Sequence, residues 1–152
     1  MLNLIESARQ EIHTLLSAAY EKAAAEGRLP AGADIQGIVE IPKDVKNGDY
    51  AANHALAGAK QLKMPPRKIA EILAEYIDLE GSYFSSVEVA GPGFINFWLS
   101  PKWYGEVLAA VEAEGDDYGR VNIGNGERVM VEFVSANPTG PMTIGNARGG
   151  VL

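Results

Sequence analysis

The chain has 152 residues, 47% of them hydrophobic and 22% charged, with a formal net charge of −7. This suits one domain, or one domain plus a further segment, with enough chain to bury a core. The lack of cysteine excludes a disulfide framework, a thiolate nucleophile and a cysteine zinc site, and two histidines, His13 and His54, leave little for a histidine metal site. No apolar run reaches membrane-spanning length and the N-terminus carries no apolar signal core, so a cytoplasmic protein without membrane association is expected.

Residues 2–26 predict a helix, because Leu4, Ile5, Ala8, Ile12, Leu15, Leu16, Ala19 and Tyr20 recur at three and four. Gly27 is its expected stop, with Pro30 beyond. His13 beside the stripe reads as a surface or packing histidine. The alternation from Ile35 to Ile41 predicts a strand ended by Pro42, and Asn47-Gly48 marks a turn. Residues 49–63 predict a helix with Asp49 as N-cap and Ala52, Ala55, Leu56, Ala59 and Leu62 inward. Pro65-Pro66 opens another helix, whose stripe is Ile69, Ile72, Leu73, Tyr76 and Ile77, and Gly81 closes it.

Two strands follow, Tyr83–Val89 and Phe94–Leu99, joined by Gly91-Pro92-Gly93. Ser100 is placed to cap a helix with Pro101 at its first position, where a missing N–H costs nothing, running to about Glu114. Gly115 to Gly126 is rich in Gly, Asp and Asn and reads as a linker. Val129, Met130, Val131, Phe133 and Val134 then form a nearly continuous apolar run, suited to a strand buried on both faces. A Gly/Pro loop and the small residues Gly145, Ala147, Gly149 and Gly150 follow, as at a strand–turn–helix of a nucleotide-binding fold. The expected fold is therefore α+β. An N-terminal domain (1–114) holds several helices and a small, largely antiparallel sheet. A linker (115–127) leads to the first strand–turn–helix (128–152) of a Rossmann-type domain.

The stretch SANPTGPMTIGNARGGVL resembles the first signature of class I aminoacyl-tRNA synthetases, and of the arginyl-tRNA synthetase family in particular. There Ser-Ala-Asn-Pro-Thr-Gly-Pro precedes a His-x-Gly-His tetrapeptide. Thr143-Ile144-Gly145-Asn146 stands in its place, so both histidines are replaced. Two earlier stretches, IPKDVKNGDYAANHALAGAKQL and VEVAGPGFINFWLSPKWY, resemble the N-terminal additional domain of the same family. The resemblance covers most of the chain and implies an N-terminal fragment of an arginine–tRNA ligase, inactive by itself. Family members activate L-arginine with ATP to arginyl-adenylate and transfer it to tRNA(Arg), the added domain contacting the tRNA elbow. A monomer is expected. Magnesium would arrive with ATP, and no fixed protein metal site is implied.

Residue by residue, the resemblance assigns Ala136, Asn137, Pro138, Thr139, Gly140, Pro141, Met142, Thr143, Ile144, Gly145 and Asn146 to the ATP signature. Thr143, Gly145 and Asn146 fall at its catalytic tetrapeptide. Neither Thr143 nor Asn146 can carry a positive charge, but Asn146 can still donate a hydrogen bond. A strand-to-helix turn capped by Thr and Asn, with no ligand, is the plainer alternative. Glu132, Ser135 and Asn137 map to the arginine site. Glu132 is the one charge in the apolar run, where a guanidinium would be an apt partner; an internal salt bridge with Arg128 or Arg148 is the other reading.

For RNA, residues 43–68 carry six basic groups and two acidic ones, a balance of +4 on an otherwise acidic chain. A phosphate-facing side and a merely solvated face both fit that balance. Lys43 and Lys46 are the candidate phosphate contacts. Phe94 and Asn96 share one face of an alternating strand and could stack on, and hydrogen-bond to, a loop base. Core packing of Phe94 is the alternative, although Ile95, Phe97 and Leu99 supply a core face opposite. Two other functions remain open: a stand-alone RNA-binding module, and a related class I nucleotidyltransferase that lacks tRNA.

Overall fold

The computed structural model describes residues 4–121, 123–132, 134–137 and 139–149, which form two compact units, 1–119 and 120–152. The first unit is α+β. Helix α1 (Leu4–Ala25) buries Leu4, Ala8, Ile12, Leu16, Ala19, Tyr20 and Ala23 along one stripe, while Ile5 is exposed. It ends as expected at Gly27, whose φ of 72° lets Arg28 N–H donate to Ala23 O (2.8 Å) and Gly27 N–H to Ala24 O (3.0 Å). A left-handed glycine with this pair of bonds satisfies the last carbonyls of the helix.

Four strands form one antiparallel sheet: β1 (Val39–Glu40), β2 (Tyr50–Ala52), β3 (Phe84–Ala90) and β4 (Phe94–Leu99), in the order β1-β2-β4-β3. Helices α2 (His54–Leu62) and α3 (Pro66–Tyr76) complete the main layer with α1, and α4 (Pro101–Glu114) follows β4. Ile95 and Phe97 of β4 are fully buried with Ile12, Leu16, Ile69 and Leu73 of the helices. Phe84 meets Tyr50 and Phe97 edge-on, with ring centroids 6.1 and 5.2 Å apart. Truncating a ring as enclosed as Phe97 costs about 3–5 kcal/mol.

The structure corrects the sequence reading at several points. The segment 49–63 is not one helix. Tyr50–Ala52 form β2, and Asn53 precedes α2. Alanine is a strong helix former, but tertiary context overrides propensity, and here both edges of a three-residue strand are paired, Ala52 with Val39 and with Ile95. Asp49 caps no helix: its carboxylate accepts from Leu99 N–H (2.8 Å), and its own N–H donates to Phe97 O (2.9 Å). The strand expected over Ile35–Ile41 shrinks to Val39–Glu40, because Asn53 holds Ile38 instead, through Oδ1 to its N–H (2.7 Å) and N–H to its oxygen (3.1 Å). Helix α3 stops at Tyr76, short of Gly81.

Ser100 makes no side-chain cap to α4, and its hydroxyl is buried without a partner among the described residues. That helix has no buried residue; Trp103 packs partly on the core and donates from Nε1 to Leu4 O (3.1 Å). In the second unit, Arg128–Glu132 and Val134 form no strand; Met130 is 93% exposed. A strand needs ladder partners for its N–H and C=O groups, and none is present among the described residues of that unit. Phe133 lies outside the described residues, as do Pro138 and Gly150. The helix expected after the Gly/Pro loop does form, as α5 (Ile144–Gly149).

A hydrogen bond of 2.8 Å joins His13 Nδ1 of α1 to His54 Nε2 at the start of α2. Burial, and then the neighbouring His13, push His54 down to about 4. Unfolding restores an ordinary histidine that binds a proton near pH 6.5. The folded state thus gains most above that pH and loses stability as pH falls from 6.5 towards 4. A melting temperature that declines over this window, with a shallower decline in His54→Gln, is the expected result by circular dichroism.

Candidate nucleic-acid interface

The register of β4 decides what each of its side chains meets. Tyr50 and Val87 flank Phe97 on the helix side, so Ala51 and Glu88 flank Asn96 on the opposite side. Phe94 and Asn96 line a cleft of about 310 Å3 on that outer face, with Glu40, Pro42, Lys43 and Asn47 around it. Phe94 is half-buried there rather than part of the core cluster. Asn96 is only 3% exposed, yet no described group hydrogen-bonds its amide. The fully enclosed unpartnered side-chain atoms among the described residues belong to Arg9, His54 and Ser100, so the Asn96 amide keeps contact with solvent and can pair with a bound polar edge.

The cleft's rim is set by the turn before β2. Asp44 accepts from Lys46 N–H (3.0 Å) and caps the single turn Val45–Asn47. Gly48 then adopts φ 83°, and a Cβ there would lie 2.7 Å from Phe97 O, so only glycine lets the turn close onto β4. Lys43 lines the cleft, whereas Lys46 sits on the exposed turn without lining it. The other basic groups of residues 43–68 do not join them. Arg67 bonds Glu71 (3.0 Å) and Gly91 O (2.9 Å), and Lys68 borders a separate cleft with Arg28, Glu71 and Glu75. Sequence reasoning missed Glu40, which enters the cleft only through the β1–β2 register.

In the second unit, Asn137, Thr143 and Asn146 line a cleft of about 220 Å3 with Ala136, Thr139, Gly140, Pro141 and Met142. Glu132 and Ser135 do not line it. Glu132 is exposed, not buried in a strand, and makes no ion pair with Arg128 or Arg148 among the described residues. Asn146 Oδ1 accepts from Thr143 N–H (3.0 Å) and from its hydroxyl (2.7 Å), while Asn146 N–H donates to the Thr143 hydroxyl oxygen (3.4 Å). This is a reciprocal cap of a helix start, with Asn in the third position. The Asn146 carboxamide N–H groups have no acceptor among the described residues. Gly145 is exposed within α5. No group of three or more metal-ligating side chains is present among the described residues, and no described helix is long and apolar enough to cross a membrane.

The sequence profile of the family described as "Arginyl tRNA synthetase N terminal domain" matches residues 10–99, from α1 to the end of β4. The chain belongs to this family. Relatives named arginine–tRNA ligase match along its full length, 44% identical in Acetivibrio thermocellus and 48% in Caldanaerobacter subterraneus subsp. tengcongensis. The chain spans 27% of the length of each. The crystal structure of arginyl-tRNA synthetase from Plasmodium falciparum superimposes with a TM-score of 0.50 at 23% identity, covering 66% of this chain and 17% of that one. At that identity it supports the fold alone. The arginyl-tRNA synthetase N-terminal domain family thus includes both the α1–α3 layer and the outer sheet face described above.

Thr143→Ala removes one arm of the reciprocal cap. Losing a cap costs about 1 kcal/mol, which should accelerate amide exchange at Asn146 and Ala147 about fivefold by hydrogen-exchange NMR. Unchanged exchange would show that the Thr143–Asn146 bonds do not order this turn.

Proposed function

We propose that the chain is the N-terminal portion of an arginine–tRNA ligase and that its first unit, residues 1–114 in particular, contacts tRNA(Arg) through the outer face of the sheet. The observation that carries this is Asn96, a residue only 3% exposed whose amide has no partner among the described residues, set beside Phe94 and Lys43 in one cleft. An unpaired loop base seated there gains stacking on Phe94 and a hydrogen-bonded edge at Asn96. Lys43, with Lys46 on the adjoining turn, supplies phosphate contacts that fix position rather than sequence. The net charge of −7 confines such contacts to this small rim and favours selectivity over non-specific affinity.

The second unit takes in the end of the expected linker, and its residues from 128 onward would open the catalytic domain. Its cleft would hold ATP phosphates through neutral donors, since Thr143 holds the Asn146 carboxamide by its oxygen and no described residue takes up its N–H groups. ATP, carrying magnesium on its phosphates, would supply the adenylyl group. Thr143 and Asn146 would hold those phosphates near Gly145, and Glu132, Ser135 and Asn137 would bind L-arginine. Ligase activity, in the cytoplasm and as a monomer, belongs to the longer protein in this reading. The alternative of an RNA-binding module alone shares the first unit and differs only in the second.

Glu132 and Ser135 lie outside the cleft that holds Asn137 and Asn146, so the 152-residue chain should form no arginyl-adenylate. Arginine-dependent ATP–pyrophosphate exchange above background would refute this. For the RNA face, Lys43→Glu with Lys46→Glu should weaken all tRNAs alike and lower the salt slope by about one per lost contact. Phe94→Ala with Asn96→Ala should cost about 1–3 kcal/mol for tRNA(Arg) and leave that slope unchanged. A melting curve comes first, because both residues border the core. If the folded double mutant binds tRNA(Arg) as tightly as wild type, the recognition face lies elsewhere.

A further inference from the structure

Gln10, His13, Ser17 and Glu21 recur at three and four along α1 and so share one side of it, next to its buried stripe. That side forms one wall of a cleft of about 480 Å3, larger than either cleft described above. Asp34 and Gln36 of the connection before β1, with His54 at the start of α2, form the other wall. Two carboxylates, Glu21 and Asp34, line it and no lysine or arginine does, so the cleft attracts a cation. Two histidines are few for a metal site in sequence, but the fold brings them into contact from 41 residues apart. His13 Nδ1 and His54 Nε2 are 2.8 Å apart, with the rings tilted by 58°. His13 is half-buried, while His54 is 3% exposed and held in place. Asn53 before it is bonded twice to Ile38, and a Cβ on Gly37 would lie 2.6 Å from His54 Cα.

Two converging imidazole nitrogens can share an ion as well as a proton. We propose that His13 and His54 form a binding site for a first-row divalent transition metal that takes nitrogen ligands at a right angle. With metal–nitrogen bonds of about 2.1 Å, nitrogens 2.8 Å apart subtend about 90° at the ion. A tetrahedral ion such as Zn2+ would need them roughly 3.4 Å apart. Square-planar and octahedral ions, Cu2+ and Ni2+ among them, place neighbouring ligands at a right angle. Each ring then keeps its one proton on its far nitrogen, His13 Nε2 and His54 Nδ1. The ion thus replaces the shared hydrogen bond without releasing a proton. His54 Nδ1 is enclosed with no acceptor, and no third side chain completes a ligand set among the described residues. Both facts hold the affinity to the micromolar range. Water would fill the remaining positions, with Glu21 and Asp34 in the same cleft to offset the charge. A bound ion would tie α1 to the start of α2.

The test is a calorimetric titration of the untagged 152-residue chain with NiCl2 and, separately, with ZnCl2. One Ni2+ should bind per chain, at least threefold more tightly than Zn2+. His13→Gln keeps a hydrogen-bonding carboxamide beside His54 but loses one imidazole, and should weaken Ni2+ binding at least tenfold. His54→Gln should do the same, and circular dichroism will establish that each variant is folded. The wild-type chain also decides by itself. Ni2+ with water in its remaining positions is paramagnetic, and it should broaden the His13 and His54 ring resonances before any others. Undiminished Ni2+ binding in a folded variant, or broadening that begins elsewhere, overturns the site. Zn2+ binding as tight as Ni2+ overturns its right-angle geometry.

Discussion

The sheet depends on the seating of β2 against β4. Tyr50, Ala51 and Ala52 pair with β4, the two alanines pair with β1 as well, and Asp49 fastens their entry by accepting from Leu99 N–H while donating to Phe97 O. Gly48 permits this approach at a distance no side chain would allow. With β2 in place, Tyr50 enters the aromatic cluster beside Phe84, and β1 has an edge on which to pair. Without it the chain would have a β3–β4 hairpin and a loose helical layer, and a two-stranded hairpin is marginal by itself.

The same pairing builds the surface. Alternation in β4 assigns Ile95 and Phe97 to the helices and Phe94 and Asn96 to the cleft, so one strand serves both the core and the outer face. Ala51 keeps the cleft open because it is small, and the capped turn at residues 44–47 brings Lys43 and Asn47 to its edge. The polar groups that matter here hold their positions through backbone register, a steadier support than a long flexible side chain.

How far the sequence disclosed this varies with the physical range of each signal. Strand β4 was legible end to end, because period-two alternation and the Gly91–Gly93 turn are local, and α4 was legible from Pro101 to Glu114. Strand β2 was not, since Tyr-Ala-Ala followed by an alanine-rich helix has no local mark of a strand, and the longer of its two partners, β4, lies more than forty residues away. Glu40 stayed invisible for the same reason. The apolar run at 129–134 reads as a buried strand on composition, yet burial requires neighbours that pattern alone does not supply. In the tail, the Gly/Pro punctuation located the helix start correctly, and a Thr/Asn cap was one of its two readings; which atoms of Asn146 are spent on the cap needed coordinates.

The Gly48 contact also constrains how this domain can change length over evolution. A residue inserted within β4 would turn every later side chain of that strand to the other side, sending Phe97 outward, and the fixed approach at Gly48 prevents the chain from sliding to compensate. The connection from Gly27 to Asp34 has no ladder to preserve, and Gly27 and Gly32 have open space around them. Insertions and deletions among homologues should therefore gather in that connection and be purged from β4, making strand length, more than residue identity, the conserved character of the outer sheet face.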